Sequence, residues 1–142
     1  MNSVISTFLR IAQVRHTKSY LDNITQTHPN KNNMLGLKQV LDVYGIDTVG
    51  VKFDDKASAG LVFPCIFHIS GGFVVAKDLH DDIVIYVYNG KVVTKPVADF
   101  CNIWTGYALL PASDFSTAIE PNYISNRKKE VQSKLSRAFI YS

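Results

Sequence analysis

The chain reads as an α+β domain, and three observations carry that expectation. Apolar residues recur at helical spacing up to Tyr44, alternate at strand spacing from Asp47 onward, and meet the hairpin dipeptide Asn89-Gly90 late in the run. Helices first and an antiparallel sheet second place this chain in that class. Its 142 residues suit one core of ordinary size, and 46% hydrophobic with 19% charged residues is globular composition.

The first helix begins after Asn2 or Ser3, with Val4, Phe8, Ile11 and Ala12 on one face. A second starts at Thr17 or Ser19, turns Leu21 and Ile24 inward, and ends before Thr27-His28-Pro29-Asn30. Pro29 disfavours helix at His28, so that stretch is a loop. Asn32 or Asn33 caps a third helix with Leu37, Val40, Leu41 and Tyr44 as its stripe, and Gly45 stops it.

Val49, Val51 and Phe53 alternate as a first strand, followed by a polar loop over 54–59. Strands over 66–69 and 73–77 flank Gly71-Gly72, and a strand over 83–88 turns at Asn89-Gly90 into Lys91-Val92-Val93. Pro96 suits the first turn of a short helix reaching Phe100, and a last strand over 107–110 ends at Pro111. The expected boundaries are a main domain over 1–120 and a basic C-terminal helix over 121–142. That helix carries Arg127, Lys128, Lys129, Lys134 and Arg137 and closes on Ala138-Phe139-Ile140-Tyr141. Either it is a solvated helix, or it is a connector to a membrane span that would hold this side in the cytoplasm.

Composition excludes several functions. A net charge of +3 without a basic stripe interleaved with aromatics gives no reason to expect nucleic acid. The two cysteines, Cys65 and Cys101, cannot build a disulfide framework or a Cys-rich zinc site, and their apolar neighbours predict buried, reduced thiols. No pair among His16, His28, His68 and His80 sits at zinc spacing, so neither metal nor cofactor is expected. Nothing resembles a signal peptide, and no segment is long enough to span a bilayer. Cys65 and His68, three apart on a strand, point to opposite faces and make a poor catalytic pair.

Four ordered motifs support a family resemblance. They are His28-Pro29 through Met34-Leu35 with Tyr44-Gly45-Ile46-Asp47; Pro64-Cys65-Ile66; Phe73-Val74-Val75; and Phe100 with Trp104-Thr105-Gly106 and Leu109-Leu110. Glu120-Pro121-Asn122-Tyr123 and Asn126-Arg127-Lys128-Lys129-Glu130 extend them. From Thr17 to Glu130 the chain resembles the bacteriocin-processing, double-glycine-leader cysteine peptidase domain, family thirty-nine. It is similar above all to the version at the N-terminus of some bacterial membrane proteins of the vitamin K epoxide reductase family. The resemblance implies a papain-like fold, with N-terminal helices packed on a C-terminal antiparallel sheet.

It also implies where chemistry belongs. The family's Cys-Gly at a helix N-terminus, where the dipole lowers the thiol pKa, falls in Thr17-Lys18-Ser19-Tyr20. Its His falls on Gly72, and its Asp falls among Val87, Tyr88 and Asn89. Positions near Ser19, Gly72, Tyr88 and Asn89 are thus degenerate, and a papain-type mechanism lacks its base. The expectation is a domain that is not itself an enzyme: a peptide-binding or accessory module of a larger membrane protein. Tyr20, Gly71, Gly72 and Phe73 would form its substrate groove; Trp104 is expected first in the core, packed under the sheet, with a place lining the groove as the alternative. The alternatives are a structural appendage of a thiol–disulfide oxidoreductase, or an active peptidase with a relocated nucleophile. Partners would be a peptide or the protein's own membrane domain, at the cytoplasmic face of a bacterial inner membrane.

Overall fold

Three helices, α1 (Asn2–Ile11), α2 (Lys18–Gln26) and α3 (Met34–Val43), lead into the strands in this computed structural model, which describes residues 2–29, 33–56 and 60–141. In α1, Ile5, Phe8 and Leu9 form the buried stripe, while Val4, Ile11 and Ala12 lie at its margins. Thr17 is the N-cap of α2. Asn33 caps α3 by accepting the Gly36 N–H at 2.9 Å. At the other end Ile46 N–H reaches Leu41 O and Gly45 N–H reaches Asp42 O, with Gly45 at φ 83°, which is a Schellman closure. The alternative cap, Asn32, lies outside the described residues, as do 57–59 of the polar loop.

The sheet contains β1 (Thr48–Lys52), β2 (Cys65–Ile69), β3 (Gly72–His80), β4 (Ile83–Tyr88), β5 (Lys91–Pro96) and β6 (Trp104–Pro111). Its order is β1-β6-β2-β3-β4-β5, and every pairing is antiparallel. The α+β expectation, helices packed on an antiparallel sheet, therefore holds. Asn89 and Gly90 both adopt positive φ, as a type I′ hairpin requires.

Neighbouring residues on the central strands serve different cores. Ile66, Val75 and Leu109 pack with Ile5, Phe8, Leu37 and Leu41 beneath the first three helices. Cys65, Phe67, Val74, Ala76 and Ala108 face the other way, toward Phe100 of α4 (Val97–Ile103) and Trp104. There Phe67 meets Phe100 and Trp104 edge-on, at centroid distances of 5.0 and 4.8 Å.

Three elements differ from their sequence expectation. In β1 Thr48 is buried, Val49 is exposed and Val51 is only partly buried, so the expected apolar alternation does not form a buried face. The short helix α4 starts one residue after Pro96 and runs on to Ile103, and β6 begins directly at Trp104. Lys56 Nζ stabilises that abrupt switch by donating to the carbonyls of Cys101 and Trp104. Gly106, at φ 97°, lets Phe53 approach; a Cβ there would lie 3.1 Å from the Phe53 carbonyl oxygen.

The chain then returns to the helices. Arg15 forms a parallel bridge with Ile119, and Glu120 N–H donates to Arg15 O at 3.1 Å. Glu120 is 1% exposed; it accepts Thr17 N–H on Oε1 and the Thr17 hydroxyl on Oε2, each at 2.8 Å. Asn126 Nδ2, from α5 (Tyr123–Tyr141), adds a third donor at 3.1 Å.

Candidate functional site

A small hollow of about 40 Å³ opens between the first turn of α1 and the β3–β4 ribbon. Ser3, Val4 and Thr7 supply the helical wall, and Phe73, Val75 and Val87 the sheet wall. Tyr88, Asn89 and Gly90 close its end. Its exposed lining is mainly polar, with Ser3, Thr7, Tyr88 and Asn89 among apolar residues. The first-turn N–H groups of α1 add a partial positive charge at this end of the helix.

Sequence reasoning gathers part of this set. Phe73, Tyr88 and Asn89 border the hollow, just past the Val75↔Val87 end of the β3–β4 ladder, and Gly71 and Gly72 directly precede Phe73. A Cβ on Gly71 would lie 3.7 Å from the Tyr88 hydroxyl. Gly72, at φ 138°, faces open space: a Cβ built there meets nothing within 4 Å. Ser3 and Thr7 were not anticipated. The signal that could have found them was the Asn2–Ser3 helix start, since α1 packs on β3 and its first turn ends beside the β4–β5 turn at Asn89-Gly90.

The other expected positions lie elsewhere. Ser19 is away from the hollow, because α1 rather than α2 presents its opening turn there. Ser19 instead donates its N–H and hydroxyl to Glu130 Oε2 at 3.3 and 3.1 Å, in a separate groove between α2 and α5. Tyr20 packs edge-on against Tyr44 at 6.2 Å and borders another groove beside Asn126. Trp104 is buried in the second core, its Nε1 donating to Tyr107 O at 2.9 Å, which is its expected core placement and not the groove alternative. Each was placed by motif order alone, which carries no information about which helix crosses which strand.

The remaining chemically active side chains are also tied elsewhere. Burial pushes the Cys65 thiol well above its ordinary pKa, and the residue sits in the second core. Cys101 is half-buried on α4, beside Lys56 and Asp82. His68 pairs with Phe73 across β2–β3, with rings 4.9 Å apart, and its Nδ1 lies 2.9 Å from Thr105 Oγ1. The Thr105 hydroxyl donates to the His68 carbonyl, which assigns the ring proton of this contact to Nδ1. His16 Nδ1 contacts Val14 O, and His80 stands exposed beside Asp81. Among the described residues no group of three or more His, Cys, Asp or Glu side chains could hold a metal.

The fold has clear relatives among solved structures. The double-glycine-motif protease of an AMS/PCAT transporter, solved with its leader peptide, is 20% identical with a TM-score of 0.65, over 78% of this chain and 83% of that one. The N-terminal peptidase C39-like domain of a Vibrio parahaemolyticus toxin-secretion ATP-binding protein is 14% identical with a TM-score of 0.61, over 77% and 92%. The peptidase domain of Streptococcus ComA, a bifunctional ABC transporter of a quorum-sensing pathway, is 21% identical with a TM-score of 0.59, over 78% and 88%. No curated protein matches the chain.

These likenesses confirm the papain-like architecture expected from the motifs. They also accompany a correction. The expectation that the chain is not an enzyme is overturned, because the model of a peptidase family matches it over residues 4–116. The match starts before Thr17, so α1 is part of the family domain, which agrees with its seat against β3. With that match covering most of its length, this chain belongs to the Peptidase C39 family.

Proposed function

We propose that this domain recognises an extended, leader-type peptide that passes its small residues over the hollow between α1 and the β3–β4 ribbon. The observation that carries this reading is the open backbone at Gly72, next to Phe73 of the hollow, where nothing stands within 4 Å of a would-be Cβ. A peptide backbone can approach such a surface closely. The hollow is small, about 40 Å³, which favours small peptide residues over bulky ones. Val4, Phe73 and Val87 would contact the peptide's apolar surface, while Ser3 and Asn89 offer hydrogen-bonding groups to its backbone. Support also comes from the AMS/PCAT transporter protease, a protein of the same fold that was solved with a leader peptide.

The test is a titration of the chain with a fluorescent double-glycine leader peptide, read by anisotropy against a scrambled control. Saturable binding of the leader is expected, at least tenfold tighter than the scrambled sequence. Ser3→Trp, at an exposed helical position, would cover the mouth of the hollow and should weaken binding at least tenfold. Mass spectrometry of the same mixtures reads whether the bond after Gly-Gly is cut. Equal affinity for the two peptides, or indifference to Ser3→Trp, would overturn the proposal.

A further inference from the structure

We infer that the outward face of α5 is a docking surface for an anionic lipid bilayer. The helix is fixed to the body along one side, through Asn126 to Glu120 and Glu130 to Ser19. Its other side leaves Ile124, Val131 and Leu135 uncovered, at 68%, 37% and 54% exposure. Spacings of seven and four residues put these three on one stripe. Arg127, Lys128 and Lys134 flank that stripe and are themselves exposed. An apolar stripe bordered by cations on a mostly polar helix is the pattern that lies in a lipid interface.

Charge selects the occupant. Residues 121–142 hold five basic side chains and one acidic, whereas residues 1–120 hold ten basic and eleven acidic. The chain's positive surplus is therefore confined to α5, which complements an anionic headgroup layer. A second copy of the chain fits poorly, because an isologous pairing of stripes would set Lys128 and Lys134 against their own counterparts. Among the described residues no helix is long and apolar enough to cross a membrane, so α5 would lie on the surface instead. The inference does not depend on the peptide-recognition reading, since α5 contributes nothing to the hollow beside α1.

The test is cosedimentation of the full chain with vesicles of phosphatidylglycerol and phosphatidylcholine, compared with phosphatidylcholine alone. Binding to the anionic vesicles, weakening as salt rises, is expected. Each cation near such a surface strengthens binding about fivefold, so the pair Lys128→Gln/Lys134→Gln should weaken it about 25-fold. Ile124→Ser/Leu135→Ser should weaken it too, with an unchanged melting temperature and unchanged leader-peptide affinity, because both positions are exposed. Equal partition onto neutral vesicles, no sedimentation with either, or full binding by the lysine variant would overturn the inference. So would stripe-dependent self-association of a chain that leaves vesicles unbound.

Discussion

Replacing Glu120 with alanine is the sharpest test of how the chain is fastened together. Thr17 is the N-cap of α2, yet its side chain makes no capping bond within its own helix. Its N–H and hydroxyl are both taken by the Glu120 carboxylate, across 103 residues of sequence. Both residues are 1% exposed, so water cannot replace the lost acceptor in Glu120→Ala. Two buried donors left unpaired cost about 1–3 kcal/mol each, offset in part because a carboxylate no longer has to be desolvated. A net loss of about 3 kcal/mol follows. With unfolding entropy near 2.1 cal/mol/K per residue, a chain of 142 residues has roughly 0.3 kcal/mol/K, so the melting temperature should fall by about 10 °C. Circular dichroism during thermal and urea unfolding measures it. A cycle with Thr17→Ala should return a coupling above about 1 kcal/mol. A fall below about 2 °C, or no coupling, would refute the view that this carboxylate ties the segment after β6 to α2.

Glu130 predicts a pH effect. Burial raises its pKa, but donors from Ser19 and the charges of Lys134 and Arg127 outweigh that and hold it below the usual carboxylate value. Because its folded value is depressed, its contribution is present above the unfolded carboxylate range and lost as pH falls through the folded value. Glu130→Gln should flatten that acid limb of the stability profile measured by urea midpoints. Gly106→Ala should cost roughly 2 kcal/mol or more in urea unfolding, since a side chain there is strained at positive φ and also meets the Phe53 carbonyl oxygen at 3.1 Å. Iodoacetamide followed by peptide mapping should label Cys101 in the native protein and leave Cys65, which is 0% exposed, unmodified until the chain unfolds.

Local signals read well in this chain. Asn33, Gly45 and Asn89-Gly90 each act on backbone within a few residues, and each sits where its chemistry places it. The stripe of Leu37, Val40, Leu41 and Tyr44 is likewise a short-range pattern, and all four are buried. The order of family motifs was enough to recover the fold. What stayed hidden is decided at long range. Nothing near Ser19 says that Glu130 will claim it, and nothing near Ser3 says that it will face Asn89. Motif order therefore names residues of β3 and β4 that border the hollow, but takes its helical residue from α2, whereas the helix beside the hollow is α1.

The two-sided use of the central strands has a consequence for how the fold is chosen. Ile66 and Phe67, Val74 and Val75, and Ala108 and Leu109 each send adjacent side chains to opposite compartments. Sliding a strand by one position would exchange whole sets of occupants at once, pressing Phe67 under the helices and stripping the aromatic cluster of its centre. Misalignment is thus penalised twice over, on both surfaces of the same sheet. A strand that fits one compartment already has its fit to the other decided.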